Sequence, residues 1–136
     1  LARGAQPIAG LHHERALVYL GLGKTAAAIE DLSTAIHDSR DFLPAYRARA
    51  QAYYDLADQS AAAADYALII SRAPDDGGAY YGLGLVLGAD GRFEEAFACL
   101  TEAARLGHNA ADVAMERFRR NGWIQPIQSQ SLGGVR

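Results

Sequence analysis

The chain is predicted to be all-α: three antiparallel helix pairs in a row, followed by a capping helix. Three observations predict this. Ala28, Ala62 and Ala96 recur at an interval of 34 residues, and each opens a similar phrase: Ala28-Ile29-Glu30-Asp31-Leu32, Ala62-Ala63-Ala64-Asp65-Tyr66 and Ala96-Phe97-Ala98-Cys99-Leu100. Another small residue, Ala16, Ala50 or Gly84, stands twelve positions before each. Within each interval the apolar residues follow the helical period, and prolines keep to the breaks between apolar segments. A fixed period of this length belongs to stacked units, because one helix pair cannot bury its apolar face alone.

The elements follow in order. Ala9 to Leu22 carries Leu11, Ala16, Leu17, Val18, Tyr19 and Leu20 at helical spacing, and Gly23-Lys24 breaks it. Thr25 to Asp38 forms the second helix, with Ile29, Leu32 and Ile36 on one stripe. The cycle restarts at Phe42-Leu43-Pro44, where proline suits a first helical turn, and breaks at Ala57-Asp58. It runs again from Gln59 to Arg72. Pro74-Asp75-Asp76-Gly77-Gly78 is a turn whose aspartate can cap the next helix. Gly78 to Ala89 and Phe93 to Leu106 make the third pair, split at Asp90-Gly91. The units therefore cover residues 9–42, 43–76 and 77–110.

A capping helix over residues 109–121 follows. Asn109 is expected to cap it, with Asp112 completing a capping box. Ala111, Ala114, Met115 and Phe118 give it one apolar face. Arg117, Arg119 and Arg120 suit its C-terminal end, and Gly122 stops it. Trp123 is expected to fold back onto the last unit, and residues 123–136 to form a polar tail. Residues 1–8 are either a lead or the remnant of a preceding unit, since Leu1 to Pro7 echoes the helix end Ile70 to Pro74. The start at Leu1 reads as a piece cut from a longer chain.

Superposing the units aligns Tyr19, Tyr53 and Leu87; Leu32, Tyr66 and Leu100; and His12, Tyr46 and Tyr80. These columns resemble the tetratricopeptide repeat family. The second unit supplies Tyr46, Ala50, Tyr53, Ala62, Tyr66 and Pro74. The third supplies Tyr80, Leu83, Gly84, Gly91, Ala96, Leu100 and Ala103. The first keeps Ala16, Tyr19, Gly23, Ala28, Leu32 and Ala35 but puts His12 in the aromatic column. Arg40 and His108 stand where the second unit has Pro74. The resemblance covers residues 9–110 and implies an α-α superhelix.

Internal comparison also predicts ion pairs. Arg15 and Arg49 share one register position, and Asp31 and Asp65 share another sixteen residues later. The third unit changes both members, to Leu83 and Cys99. The expectation is an Arg15–Asp31 pair and an Arg49–Asp65 pair, replaced in the third unit by an apolar contact.

Composition narrows the function. Net charge is −3 and half of the residues are hydrophobic, with no basic stripe of the kind that holds nucleic acid. No apolar run reaches the ~18 residues of a membrane span. Cys99 is the single cysteine, so it has no internal disulfide partner. Lys24 is the single lysine among 13 basic residues, a usage that points to a GC-rich bacterial genome. A soluble protein of the bacterial cytoplasm or periplasm is the resulting expectation.

Candidate chemistry is thin. Gly23-Lys24-Thr25 ends like a phosphate-binding loop, but Val18 stands where that loop needs glycine, and a helix precedes it rather than a strand. Gly82-Leu83-Gly84 and Gly88 miss the dinucleotide spacing by one and lie within a helix. His12-His13-Glu14 offers adjacent histidines on different helix faces, with no ligand four residues on. His37 and His108 sit at exposed helix ends. Cys99 reads as a small packed thiol. No metal, cofactor or catalytic function is expected.

Surface recognition is what remains. The resemblance implies that first helices line a concave groove that grips a protein or peptide segment. Mapped onto this chain, the lining is His13, Leu17, Leu20 and Gly21, then Arg47, Gln51, Tyr54 and Asp55, then Tyr81, Leu85, Gly88 and Ala89. Tyrosine and arginine are favoured interface anchors; a core role for Leu17, Leu20 and Leu85 is the competing reading. Some relatives clamp acidic chaperone tails with lysine, asparagine and arginine. Here those positions hold His13, Leu17, Ala48, Gly78 and Gly82, so no such clamp is expected. The function read from the sequence is a protein-interaction scaffold. Its alternative is a self-assembly or regulatory module of a larger protein, itself an enzyme in one version.

Overall fold

A computed structural model describes the backbone of residues 2–122 and the side chains of residues 8–122. Those residues hold seven helices and no strand: α1 (Ala2–Gly21), α2 (Thr25–Asp38), α3 (Leu43–Asp55), α4 (Gln59–Arg72), α5 (Gly77–Ala89), α6 (Phe93–Arg105) and α7 (Asn109–Asn121). The chain divides after Pro74 into two compact units, one holding α1–α4 and the other α5–α7. In the first, α1 packs on α2, α2 on α3, and α3 on α4. In the second, α6 packs against both α5 and α7.

Each helix pair is closed by the same turn. The Lys24, Asp58 and Arg92 amides donate to the Tyr19, Tyr53 and Leu87 carbonyls at 2.8, 2.9 and 2.9 Å. These bonds reach back five residues and satisfy carbonyls that the helix end would otherwise orphan. The residue before each donor is left-handed: Gly23 at φ 78°, Ala57 at φ 63° and Gly91 at φ 83°. Glycine occupies two of the three positions, and Ala57 is the lone non-glycine with positive φ among the described residues. A left-handed L-residue costs about 1–2 kcal/mol, and glycine returns part of that to unfolded-chain entropy. Ala57→Gly is therefore expected to raise stability by about 0.5–1 kcal/mol in chemical denaturation. A loss would show that the Ala57 methyl packs usefully.

Helix starts follow local chemistry. The Asp76 carboxylate accepts from the Ala79 amide at 3.0 Å, and Asp58 accepts from Ala61 at 3.2 Å. Pro44 lies in the first turn of α3, where no amide partner is lost. Three helix ends shift by one residue from the sequence reading, at Gly21, Gly77 and Arg105, and two features differ by more. Helix α1 starts at Ala2 rather than Ala9, so Pro7, expected at a break between helices, falls inside a helix instead. His108, not Asn109, is the N-cap of α7, and no side chain caps that end. Gly107 at φ 93° turns the chain one residue early, and the His108 amide donates to the Ala103 carbonyl at 2.9 Å. The expectations for Trp123 and for residues 124–136 lie outside the described residues.

Small residues let the paired helices approach. Ala16, Ala28, Ala50 and Ala62 are fully buried in the first unit, beside Leu32 and Ile69. In the second unit Leu100, Ala103, Ala111 and Met115 form the core cluster, with Tyr80, Tyr81, Phe97 and Ala114 packed against it. Phe118 closes the α6–α7 seam with its ring centroid 5.6 Å from Phe97 and 6.1 Å from Phe93.

Candidate functional site

Helices α1 and α3 lie side by side in the first unit, and between them is a depression of about 380 Å3. His13, Leu17, Leu43, Pro44, Arg47, Ala48 and Gln51 line it. Four of these, His13, Leu17, Arg47 and Gln51, are groove residues read from the sequence. Leu17 is 47% exposed, so it is not core. Leu20 and Tyr54 are half-buried and Asp55 is exposed; none of the three lines the depression. Sequence reasoning left Leu43 and Pro44 out of the groove. The signal was present, since Pro44, Arg47, Ala48 and Gln51 share one stripe of α3 at spacings of 3, 4 and 7.

The electrostatics of this depression are set by burial. The His13 ring meets Phe42 edge-on at 5.5 Å, and burial holds its pKa below the usual histidine value, against a smaller opposing pull from Glu14. The site thus combines an apolar strip (Leu17, Leu43, Pro44, Ala48), a neutral imidazole at neutral pH, the Arg47 cation and the exposed Gln51 amide. Such a set can seat apolar side chains while a guanidinium and an amide hold backbone or carboxylate oxygens.

In the second unit, Tyr81 and Leu85 on α5 are half-buried. Tyr81 packs against the core cluster, with its ring centroid 4.6 Å from that of His108. His108 is therefore half-buried rather than exposed. A larger depression of about 810 Å3 borders Asp112, Val113, Glu116, Arg117 and Arg119 on α7. It is a charged helix face in which Glu116 pairs with Arg119 at 3.4 Å and Arg120 at 3.1 Å.

The predicted ion-pair residues meet in bidentate forks. Arg15 Nε and Nη2 donate to Asp31 at 2.7 Å each, and Arg49 Nε and Nη2 donate to Asp65 at 2.8 and 2.9 Å. The two forks differ in setting. The Arg15 side chain is 59% exposed and the Arg49 side chain 20%. Arg49 Nη1 also donates to Ser33 Oγ at 3.0 Å, and its guanidinium lies over the Tyr46 and Tyr53 rings at 5.9 and 5.8 Å. The Arg15 hydrogen bonds, opposed by burial, hold the Asp31 carboxyl below the usual range. His12 Nδ1 lies 3.5 Å from Asp31, so the histidine in the aromatic column faces the fork. In the third pair Leu83 and Cys99 are both half-buried, and burial pushes the Cys99 thiol up, away from nucleophilic use.

Gly23-Lys24-Thr25 forms the turn between α1 and α2 and follows a helix, so it builds no phosphate loop. No group of three or more potential metal ligands occurs among the described residues.

The family match falls on the third helix pair. Residues 77–106 match the family model of the tetratricopeptide repeat. The chain carries a tetratricopeptide repeat. The repeat's small-residue columns and closing turn recur in the first two helix pairs, 34 residues apart. No curated protein sequence matches the chain. Among solved structures, a crystal structure of MamA is 22% identical, with a TM-score of 0.70 over 76% of this chain and 61% of that one. MamA 41-end from Desulfovibrio magneticus RS-1 is 16% identical, with a TM-score of 0.73 over 84% of this chain and 67% of that one. A MamA RS-1 ArsTM double mutant is 17% identical, with a TM-score of 0.74 over 88% and 70%. The chain thus spans about 61% of the first of these structures. At these identities the likeness shows a shared helical fold. The tetratricopeptide repeat itself supports a role in protein–protein interaction.

Proposed function

We propose that the chain is an interaction scaffold whose first unit grips a protein segment in the depression between α1 and α3. The observation that carries this reading is the convergence of exposed Leu17 with Arg47 and Gln51 across two helices. An extended segment would place an apolar side chain on Leu17, Leu43 and Pro44. Its carbonyl or carboxylate oxygens would meet Arg47 and Gln51.

A photo-crosslinking residue at Gln51, compared with one at the exposed Glu94, tests the reading in cell extract. The expected result is a discrete adduct at position 51 that falls at least tenfold in a Leu17→Glu background. Equal capture at both positions, or capture indifferent to Leu17→Glu, would overturn it. A crosslinked homodimer at position 51 would assign the surface to self-assembly instead.

A further inference from the structure

Phe118 breaks the small-residue column. It stands 34 residues after Gly84, at the position that Ala16 and Ala50 fill in the first two helix pairs. That column is where a first helix meets the second helix of its own pair. A Cβ on Gly84 would lie 3.2 Å from the Ala96 carbonyl oxygen and 2.9 Å from the Leu100 side chain. A phenylalanine is too large for such an approach. The sequence that follows does not repeat the second-helix pattern either, since Gln130 and Gly134 hold the places of Ala96 and Leu100. The face of α7 that carries Phe118 is therefore built for something other than the second helix of a fourth pair.

Aromatic rings gather on that face. The Phe118 centroid lies 6.1 Å from that of Phe93 and 5.6 Å from that of Phe97, both on α6. Phe93 and Phe97 are four residues apart and share one stripe of their helix. The same register holds Thr25 and Ile29 in the first pair and Gln59 and Ala63 in the second, so the aromatic set is particular to the third. Phe97 and Phe118 are half-buried, and Phe93 is 41% exposed. Phenylalanine and tryptophan bring large apolar areas to a contact and pair at such centroid separations, offset or edge to face. One turn beyond Phe118, Gly122 at φ 72° takes the left-handed conformation that favours glycine and ends α7. Trp123 follows it directly and is the chain's single tryptophan. Gly122 lies about 6 Å along the helix axis from Phe118, a distance that an indole side chain spans.

We propose that Trp123 docks its indole on the Phe93–Phe97–Phe118 cluster. The chain's own tryptophan then closes the end of the array where the other pairs use a second helix. Docking removes from water part of the apolar surface that Phe93 presents, and so keeps that surface from association. Every residue of this contact belongs to α6, α7 and the residue after Gly122, so it is independent of the depression between α1 and α3.

Tryptophan emission of the intact chain reads this contact directly. In the folded chain it should be blue-shifted from that of N-acetyltryptophanamide, and acrylamide should quench it at least threefold less. Phe93→Ala, at an exposed position, should return both readings toward the free indole while the circular dichroism spectrum stays helical. Val113→Ala, 59% exposed on another face of α7, should leave both readings as in wild type. Both should also hold on tenfold dilution. The proposal is overturned if the folded wild-type chain emits and quenches like N-acetyltryptophanamide, or if Phe93→Ala leaves the indole as protected as before. Protection that disappears on dilution overturns it too, because the indole then packs on a second copy.

Discussion

Replacing Arg49 with alanine is expected to destabilise the first unit by about 3 kcal/mol or more, the usual cost of stripping one partner from a buried ion pair. Asp65 is 5% exposed, and its carboxylate takes two hydrogen bonds from Arg49. The substitution leaves that charge in a dry seam, orphans Ser33 Oγ and removes the cation from over Tyr46 and Tyr53. The third helix pair shows how the position is filled without charge, since Leu83 and Cys99 stand at the same register. The double substitution Arg49→Leu with Asp65→Cys should therefore recover most of the loss, because removing both charges removes the desolvation cost as well. Chemical denaturation of Arg49→Leu, Asp65→Cys and the double variant closes the cycle. Equal losses for Arg49→Ala and for the double variant would mean that Asp65 tolerates being alone. Arg15→Ala should cost less than Arg49→Ala, because water reaches the 59%-exposed Arg15 side chain and screens its pair.

The contrast between these forks marks what the sequence could and could not tell. Register alone placed each arginine opposite its aspartate, because a 34-residue repeat fixes which positions share a seam. The punctuation was legible too: Gly23, Asp58 and Gly91 mark where the first helices end, and α2 and α4 run between the residues expected of them. Periodicity does not say whether a face has a neighbour. Leu11, Leu17 and Val18 fit the helical period as well as Ala16 does, yet they are exposed and Ala16 is fully buried. The same limit applies to the groove. Leu17, Arg47 and Gln51 converge because α1 lies beside α3, a tertiary fact. Tyr81, read as a groove anchor, packs its ring against His108 and the second unit's core. His108 was misjudged for a related reason. Its place at a helix end suggests exposure, but the early turn at Gly107 brings it against α5, where its Cβ lies 3.3 Å from the position a Gly77 Cβ would take.

Gly84→Ala should lower stability even though alanine favours a helix interior over glycine by about 1 kcal/mol. A Cβ at Gly84 would lie 2.9 Å from both Cγ and Cδ2 of Leu100 and 3.2 Å from the Ala96 carbonyl oxygen. Leu100 is fully buried among Ala103, Ala111 and Met115, so it cannot yield without disturbing the α6–α7 seam. Overpacking of this kind costs about 1–3 kcal/mol, enough to outweigh the propensity gain. The first two pairs carry alanine at this register, as Ala16 and Ala50, whereas the distances at Gly84 leave no room for a methyl group between α5 and α6. Gly10 supplies the control. It lies inside α1 with nothing within 4 Å of its would-be Cβ, and Gly10→Ala should stabilise the chain by the propensity difference. One chemical change is thus expected to have opposite signs at two helical glycines, read as opposite shifts in denaturation midpoint. Truncating Leu100 to alanine should cost less in the Gly84→Ala background than in wild type, because the added methyl occupies part of the space that Leu100 vacates. A Gly84→Ala midpoint that rises alongside Gly10→Ala would show that the α5–α6 seam has slack.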